Sequence, residues 1–470
     1  MISDRLRLKE KIGYGFGDLA SSMFWKIFGM YLLFFYTDIF GLPAAAVGTM
    51  FLITRIWDTL FDPVVGVLSD RTRSRWGKFR PYLLWFALPF GLIGTLMFVT
   101  PSFGSTGKLV YAYLTYSLMM MVYSMINVPY ASLLGVMSSE VKERNILSSY
   151  RMVFAFIGSF ISLILIEPLV EFFTGITGSV QLGWTYGVMV IAIMCVLFFL
   201  GCFGLTKERV KPISEAQDSL KDDIKDLFRN RPWWILLGAG IAALIFNSIR
   251  DGAAVYYFKY YVAETGNFKL PFLSASLTIT TFYLVLGQAF NIVGIIFVTP
   301  LSNRFGKKNV YLGAMVLATF LSIVFYFLGS NSVVWILILQ CLISLCAGSI
   351  FPLLWSMYAD ISDFSEWKTG RRATGLIFSS SSMSQKFGWT LGGALTGWLL
   401  GYYGFQANVE QTAGVQTGIR LMLSIFPAVG TLLSVIFISM YPLSEKTMGK
   451  ITAELNEKRM QNNNQQIVNG

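Results

Sequence analysis

The stretch LPAAAVGTMFLITRIWDTLFDPVVGVL, Leu42 to Leu68, decides the fold. It is long and apolar enough to cross a hydrocarbon core of about 30 Å as one helix. Yet it carries Arg55, Asp58 and Asp62. An ionised side chain at mid-bilayer costs about 2.5–3.5 kcal/mol on insertion scales, so a pair of carboxylates there needs a cation, a proton or a base. At i and i+4 the two acids leave one helix face and can share a single small positive ion. Arg55, one turn earlier, lies on that face as a charge partner. Asp58 and Asp62 are therefore the leading candidates for the working centre.

The surrounding sequence places this segment in a membrane. Of 470 residues 54% are hydrophobic and 13% charged, with a mean hydropathy of +0.59, whereas soluble domains carry about 25% charged residues. Apolar stretches recur at 14–40, 43–68, 81–100, 108–137, 146–173, 181–204, 232–262, 274–299, 310–329, 332–360, 372–403 and 416–441, predicting twelve transmembrane helices. Strand alternation is absent, which argues against a barrel. Lys and Arg number 28 in the termini and alternate loops but two, Lys108 and Lys269, in the others. The positive-inside rule puts the crowded side, with both termini, in the cytoplasm. That topology also accounts for the net charge of +11, because the bases are spread among short loops and not gathered on a face for nucleic acid. The start, MISDRLRLKEKIGYGFGD, lacks the apolar core and cleavage site of a signal peptide and is expected to remain attached.

Cys195, Cys202, Cys341 and Cys346 all fall in apolar spans without metal-ligand spacing, and read as packing residues. With no histidine in the chain, proton chemistry would have to run on carboxylates. The organisation predicted is an N-terminal six-helix bundle (1–205), a cytoplasmic linker (206–231) that includes a candidate surface helix DSLKDDIKDLF, a C-terminal six-helix bundle (232–441) and a cytoplasmic tail (442–470). The basic turn GVLSDRTRSRWGKFRP after the second span returns in shorter form as TPLSNRFGKKN after the eighth. This repetition matches the doubled plan of the major facilitator superfamily, two six-helix bundles around a central cavity.

The strings KIGYGFGD, YTDIFGLPAAAVGTMFL, RIWDTLFDP, DRTRSRWGKFRP, NVPYASL and TGRRATGLIFSSSSMSQKFGWTLGG carry a more specific likeness. The chain resembles the glycoside-pentoside-hexuronide:cation symporters, the group containing melibiose permease. The resemblance implies a sugar or glycoside carried inward with a cation by alternating access. It assigns Asp58 and Asp62 to the cation site, with Ser124 as an oxygen ligand, and it points to Asp18, Tyr123, Asn127, Arg151 and Lys386 for sugar. Carboxylate and amide groups bind hydroxyls, the bases supply fixed donors, and rings cover apolar sugar faces.

The sequence departs from melibiose permease in places that matter. Phe61 stands where that protein has an asparagine, which weakens the sodium case and favours a proton as coupling ion; sodium and lithium stay open, and no cofactor is expected. Asn127 replaces an aspartate and Ala131 a tryptophan, so the galactoside pocket is not reproduced. Trp355 is a candidate replacement platform, and Lys26, two turns after Asp18, would favour a uronide, pair with Asp18 or snorkel. Asp38 and Lys259 are expected to reach the interface, and Glu167 an outer boundary. In the cytoplasmic loops Asp70, Arg71, Arg75, Asp363, Arg371 and Arg372 form a candidate gate, with a solvated, topology-setting role as the alternative.

The expected protein is thus a carrier in a bacterial cytoplasmic membrane, surrounded by lipid and functional as a monomer, and not an enzyme. GSTGK at Gly104–Lys108 is only a fragment of a phosphate-binding loop. Two alternatives share the scaffold. One is a substrate-binding sensor, although the short tail ending QNNNQQIVNG offers no signalling domain. The other is a lipid or lysolipid carrier.

Overall fold

A computed structural model describes residues 6–138, 141–209, 225, 227–262, 267–269, 276–369, 374–455 and 457. Long helices occupy the predicted spans: α1 (Leu8–Ile27), α2 (Ala44–Arg71), α3 (Arg80–Leu96), α4 (Ser105–Met137), α5 (Val141–Thr177) and α6 (Val180–Leu205) in the first half of the chain. The second half supplies α7 (Arg231–Tyr257), α8 (Ile279–Phe305), α9 (Lys307–Tyr326), α10 (Val333–Thr369), α11 (Thr374–Tyr402), and a last crossing made of α12 (Ala413–Leu423) and α13 (Ile425–Ser439). Among the described residues, eight of these crossings are long and apolar enough to span a membrane.

Two departures from the predicted spans have local causes. The eighth begins at Ile279, after a short antiparallel hairpin of β1 (Asn267–Lys269) and β2 (Ser276–Thr278) that takes up the start of the run predicted from 274. The last span breaks at Ser424, whose φ of −125° and ψ of −83° are not helical. The break is held by Arg250 of α7, which donates to the Leu423 carbonyl at 2.5 Å and to Gln340 Oε1 at 2.6 Å. Arg250 and Asp251 are neighbours on α7 but turn apart, and the first is a structural brace.

The described chain divides into two compact units. One comprises Met1–Ser214, Asp251–Val285 and Gly393–Arg420; the other comprises Glu215–Arg250, Leu286–Gly392 and Leu421–Gly470. In the first unit α1 packs along α5 and α6, and α2 along α4. Glycines on α1 let α5 approach: a Cβ on Gly15 would lie 2.7 Å from the Phe154 ring.

The repeated basic turns have the same construction in both halves. Gly77 has φ +110° and Gly306 φ +83°, a region open mainly to glycine. Each turn delivers the start of the next helix to a carboxylate from the segment after its half's last helix. Glu208 accepts from the amides of Lys78, Phe79 and Arg80 at 2.8–2.9 Å. Glu445 accepts from the Lys307 amide at 2.9 Å. A negative group at a helix N-terminus satisfies amides with no intrahelical partner and opposes the dipole.

Candidate functional site

The α2 acids face protein, not lipid. Asp58 is fully buried and Asp62 half-buried. Arg55 Nη1 donates to Asp58 Oδ2 at 2.6 Å, the i,i+3 pairing that the helix periodicity makes available. From α4, Ser124 Oγ lies 2.8 Å from Asp58 Oδ1 and 2.7 Å from Asp62 Oδ1. A serine hydroxyl has one hydrogen, so it can donate to only one of those carboxylate oxygens. The other short oxygen–oxygen contact needs an added proton or a cation to hold it. Pro63, directly after Asp62, removes an amide donor from the helix at this point.

Arg55 also faces the other way, its guanidinium 5.3 Å from the centre of the Trp25 ring. Trp25 stands edge-on to Tyr123 of α4 at 5.0 Å. One run of contacts therefore joins the carboxylates to the side chains expected to touch sugar. Trp25, on α1 two turns beyond Asp18, is the ring that links the two sets.

Asp18 is paired, not solvated. Arg151 Nε donates to Asp18 Oδ2 at 2.5 Å and Nη2 to Oδ1 at 3.3 Å, a fork across α1 and α5. The guanidinium lies 4.9 Å from the centre of the Tyr130 ring, which stacks on Tyr14 at 4.8 Å. Asn127 is half-buried on α4 and its amide has no hydrogen-bond partner among the described residues. Lys26 pairs with Asp251 of α7 at 3.3 Å and not with Asp18. Trp355 on α10 and Lys386 on α11 are half-buried within the second unit.

Of the other predicted residues, Arg71 is exposed at the end of α2, Arg75 lies over the Trp76 ring at 4.2 Å, and Asp363 is half-buried on α10. Arg371, Arg372 and the Asp70 side chain lie outside the described residues. Asp38 is buried within the protein and bound by Lys259, itself exposed, at 2.7 Å. Glu167 accepts hydrogen bonds from Tyr31, at 3.2 Å, and from Thr278.

A bundle of membrane-length helices with paired charges and a two-carboxylate centre within it defines an integral membrane carrier of the major facilitator class. Comparison with known proteins agrees. Residues 13–445 match the sequence model of the MFS/sugar transport protein family. The chain is 36% identical over 442 residues to the inner membrane symporter YicJ of Escherichia coli, covering 94% of this chain and 93% of that one. It is 35% identical to the isoprimeverose transporter of Lactiplantibacillus pentosus (97% and 92% covered) and 32% identical to the glucuronide carrier protein homolog of Escherichia coli (99% and 99%). Among solved structures, the nucleoside transporter NupG superposes with a TM-score of 0.58 at 15% identity, covering 92% of this chain and 99% of that one, a likeness of fold alone. The chain belongs to the MFS sugar-transport family, in its glycoside/cation symporter branch.

Proposed function

We propose that this protein carries a neutral glycoside inward together with one proton, by alternating access between two six-helix halves, 1–205 and 232–441. The single observation that carries the cation site is the shortage of one hydrogen among Asp58 Oδ1, Ser124 Oγ and Asp62 Oδ1. A proton supplies that hydrogen directly. Three oxygens are a thin shell for a hard metal cation, which takes six or more, and Phe61 adds none. Asp62, the more accessible acid, is the proton acceptor. Asp58, tied to Arg55, fixes the geometry.

Sugar hydroxyls are met by Asp18 with Arg151, by Tyr123 and by the unoccupied amide of Asn127; Lys386 and Trp355 keep the roles the family resemblance gives them. Neutralising the α2 acids releases the hold on Arg55, and Trp25 passes that change to Tyr123. The printed names of the relatives include both a neutral disaccharide and a glucuronide as cargo. The Lys26–Asp251 pair favours the neutral class, because it leaves Lys26 no free charge for a uronate. The basic loops and both termini are cytoplasmic, the membrane is the bacterial cytoplasmic one, and the monomer is the working unit. One proton moving down about 100 mV releases about 2.3 kcal/mol, enough at about 1.4 kcal/mol per tenfold to concentrate a neutral sugar about fiftyfold.

The test is uptake of labelled isoprimeverose into proteoliposomes in sodium-free buffer under an imposed pH gradient, with a methyl glucuronide in parallel. Accumulation of the disaccharide alone supports the reading. Accumulation only with sodium overturns the proton, accumulation of the glucuronide alone overturns the neutral class, and binding of either sugar without accumulation would make the protein a sensor.

A further inference from the structure

The end of the second compact unit that carries its basic turn also holds an open cavity of about 590 Å³, formed by the start of α7, the end of α10 and the tail. The sugar and cation sites use none of its residues. After Pro442 the tail turns into a helix over 445–455. Ser444 caps it, its hydroxyl accepting from the Thr447 amide at 3.2 Å. Met448, Ile451 and Leu455 recur at helical spacing and are buried, which lays the helix against the unit by its apolar face. Lys446 and Lys450, one turn apart on another flank, line the cavity.

Arg229 and Arg231 enter from the start of α7, on either side of Asn230, whose Oδ1 accepts from the Trp233 amide at 3.3 Å. Lys368 enters from the last turn of α10, 5.8 Å from the centre of the Phe364 ring. Three distant segments thus bring five bases to one cavity, and among the described residues none of the five has an ion pair. Glu454, the acid among the described lining residues, accepts from Trp367 Nε1 at 2.6 Å, and the neighbouring Glu445 is taken up by the Lys307 amide. Gathering like charges costs Coulomb energy that an anion among them relieves. The walls say which anion. Phe364, Trp367 and Ile451 give the cavity apolar surface beside the bases. Next to those bases in the chain, Phe228 is 57% exposed and Trp234, stacked near it at 5.5 Å, is 44% exposed. Exposed rings among bases at a helix end belong at a membrane–water interface. A soluble phosphate compound would leave them uncovered, whereas a phospholipid sets its phosphate among the bases and its chains over the rings.

We infer that this cavity binds the phosphate headgroup of an anionic phospholipid, which ties the tail helix to α7 and α10. The probe is short-chain phosphatidylglycerol added to the full-length protein in a neutral detergent, with short-chain phosphatidylcholine and inorganic phosphate in parallel. Thermal unfolding is the readout, since a ligand of the folded state raises its stability. Phosphatidylglycerol should raise the unfolding temperature at concentrations where the other two do not. Each base near an anionic headgroup is worth about fivefold in affinity, so Lys446→Gln with Lys450→Gln should raise the half-saturating concentration at least about tenfold. Lys9→Gln with Lys207→Gln removes two exposed bases from the first unit and should leave that concentration within about twofold. Phosphatidylcholine acting equally well, an equal loss in both double variants, or no shift with any probe overturns the site. Inorganic phosphate matching phosphatidylglycerol overturns the lipid and makes the ligand a soluble phosphate. No sugar or ion gradient enters the measurement, so its outcome is independent of the transport reading.

Discussion

Two clusters built on buried carboxylates sit in the first unit, and their hydrogen bonds are arranged differently. Around Asp38, four polar groups of α1, α7 and the α11–α12 connection donate to and accept from one another, with one acid matched by one base. Around Asp58 and Asp62, Arg55 donates to one acid, and a serine hydroxyl with a single hydrogen stands within hydrogen-bond distance of both carboxylates. A network matched group for group is rigid, whereas two carboxylates drawn to one hydroxyl hydrogen leave a place for a proton or a cation. The first cluster reads as a fastening and the second as a site, although both look alike as charges in apolar helices.

The contrast can be broken in graded ways. Asp62→Asn, which supplies a permanent amide hydrogen where a proton would come and go, should abolish gradient-driven accumulation, from about fiftyfold to none, while equilibrative exchange of labelled sugar continues. Arg55→Met strands the buried Asp58 charge and should lower stability by about 3–5 kcal/mol. Thermal unfolding in detergent measures this, and adding Asp58→Asn should restore most of it. Ser124→Ala removes one charge-assisted hydrogen bond of about 1.5 kcal/mol and should shift the proton concentration for half-maximal uptake by about tenfold. Glu208→Gln keeps its acceptor to the α3 amides but loses the charge opposite the helix dipole. It should cost about 0.3–1 kcal/mol with unaltered coupling, separating a carboxylate that only caps from those that exchange a proton.

The two acids and the base of the α2 centre were legible in the sequence, because helical spacing and the cost of charge in an apolar run need no tertiary information, whereas Ser124 entered only through the family resemblance. The helices and the repeat were legible for the same reason, as were the basic turns, where Gly77 and Gly306 mark the two positive-φ positions. Pairings between distant segments were not legible. Lys26 with Asp251, Asp38 with Lys259 and Asp18 with Arg151 each join residues more than a hundred positions apart, and period and composition are silent about such partners. The hairpin at 267–278 and the break at Ser424 escaped because each is set by neighbours, the latter by Arg250. Glu208 and Glu445 were hidden in charged segments that read as topology signals alone.

The central claim is that the Asp58–Ser124–Asp62 cluster takes up one proton for every glycoside carried. Sugar-driven proton movement measures it: isoprimeverose added to proteoliposomes in sodium-free medium, with external pH and labelled sugar followed together. The account predicts alkalinisation outside at one proton per sugar, absent in Asp62→Asn. Sugar entry without proton movement, or the same movement in the variant, would contradict it.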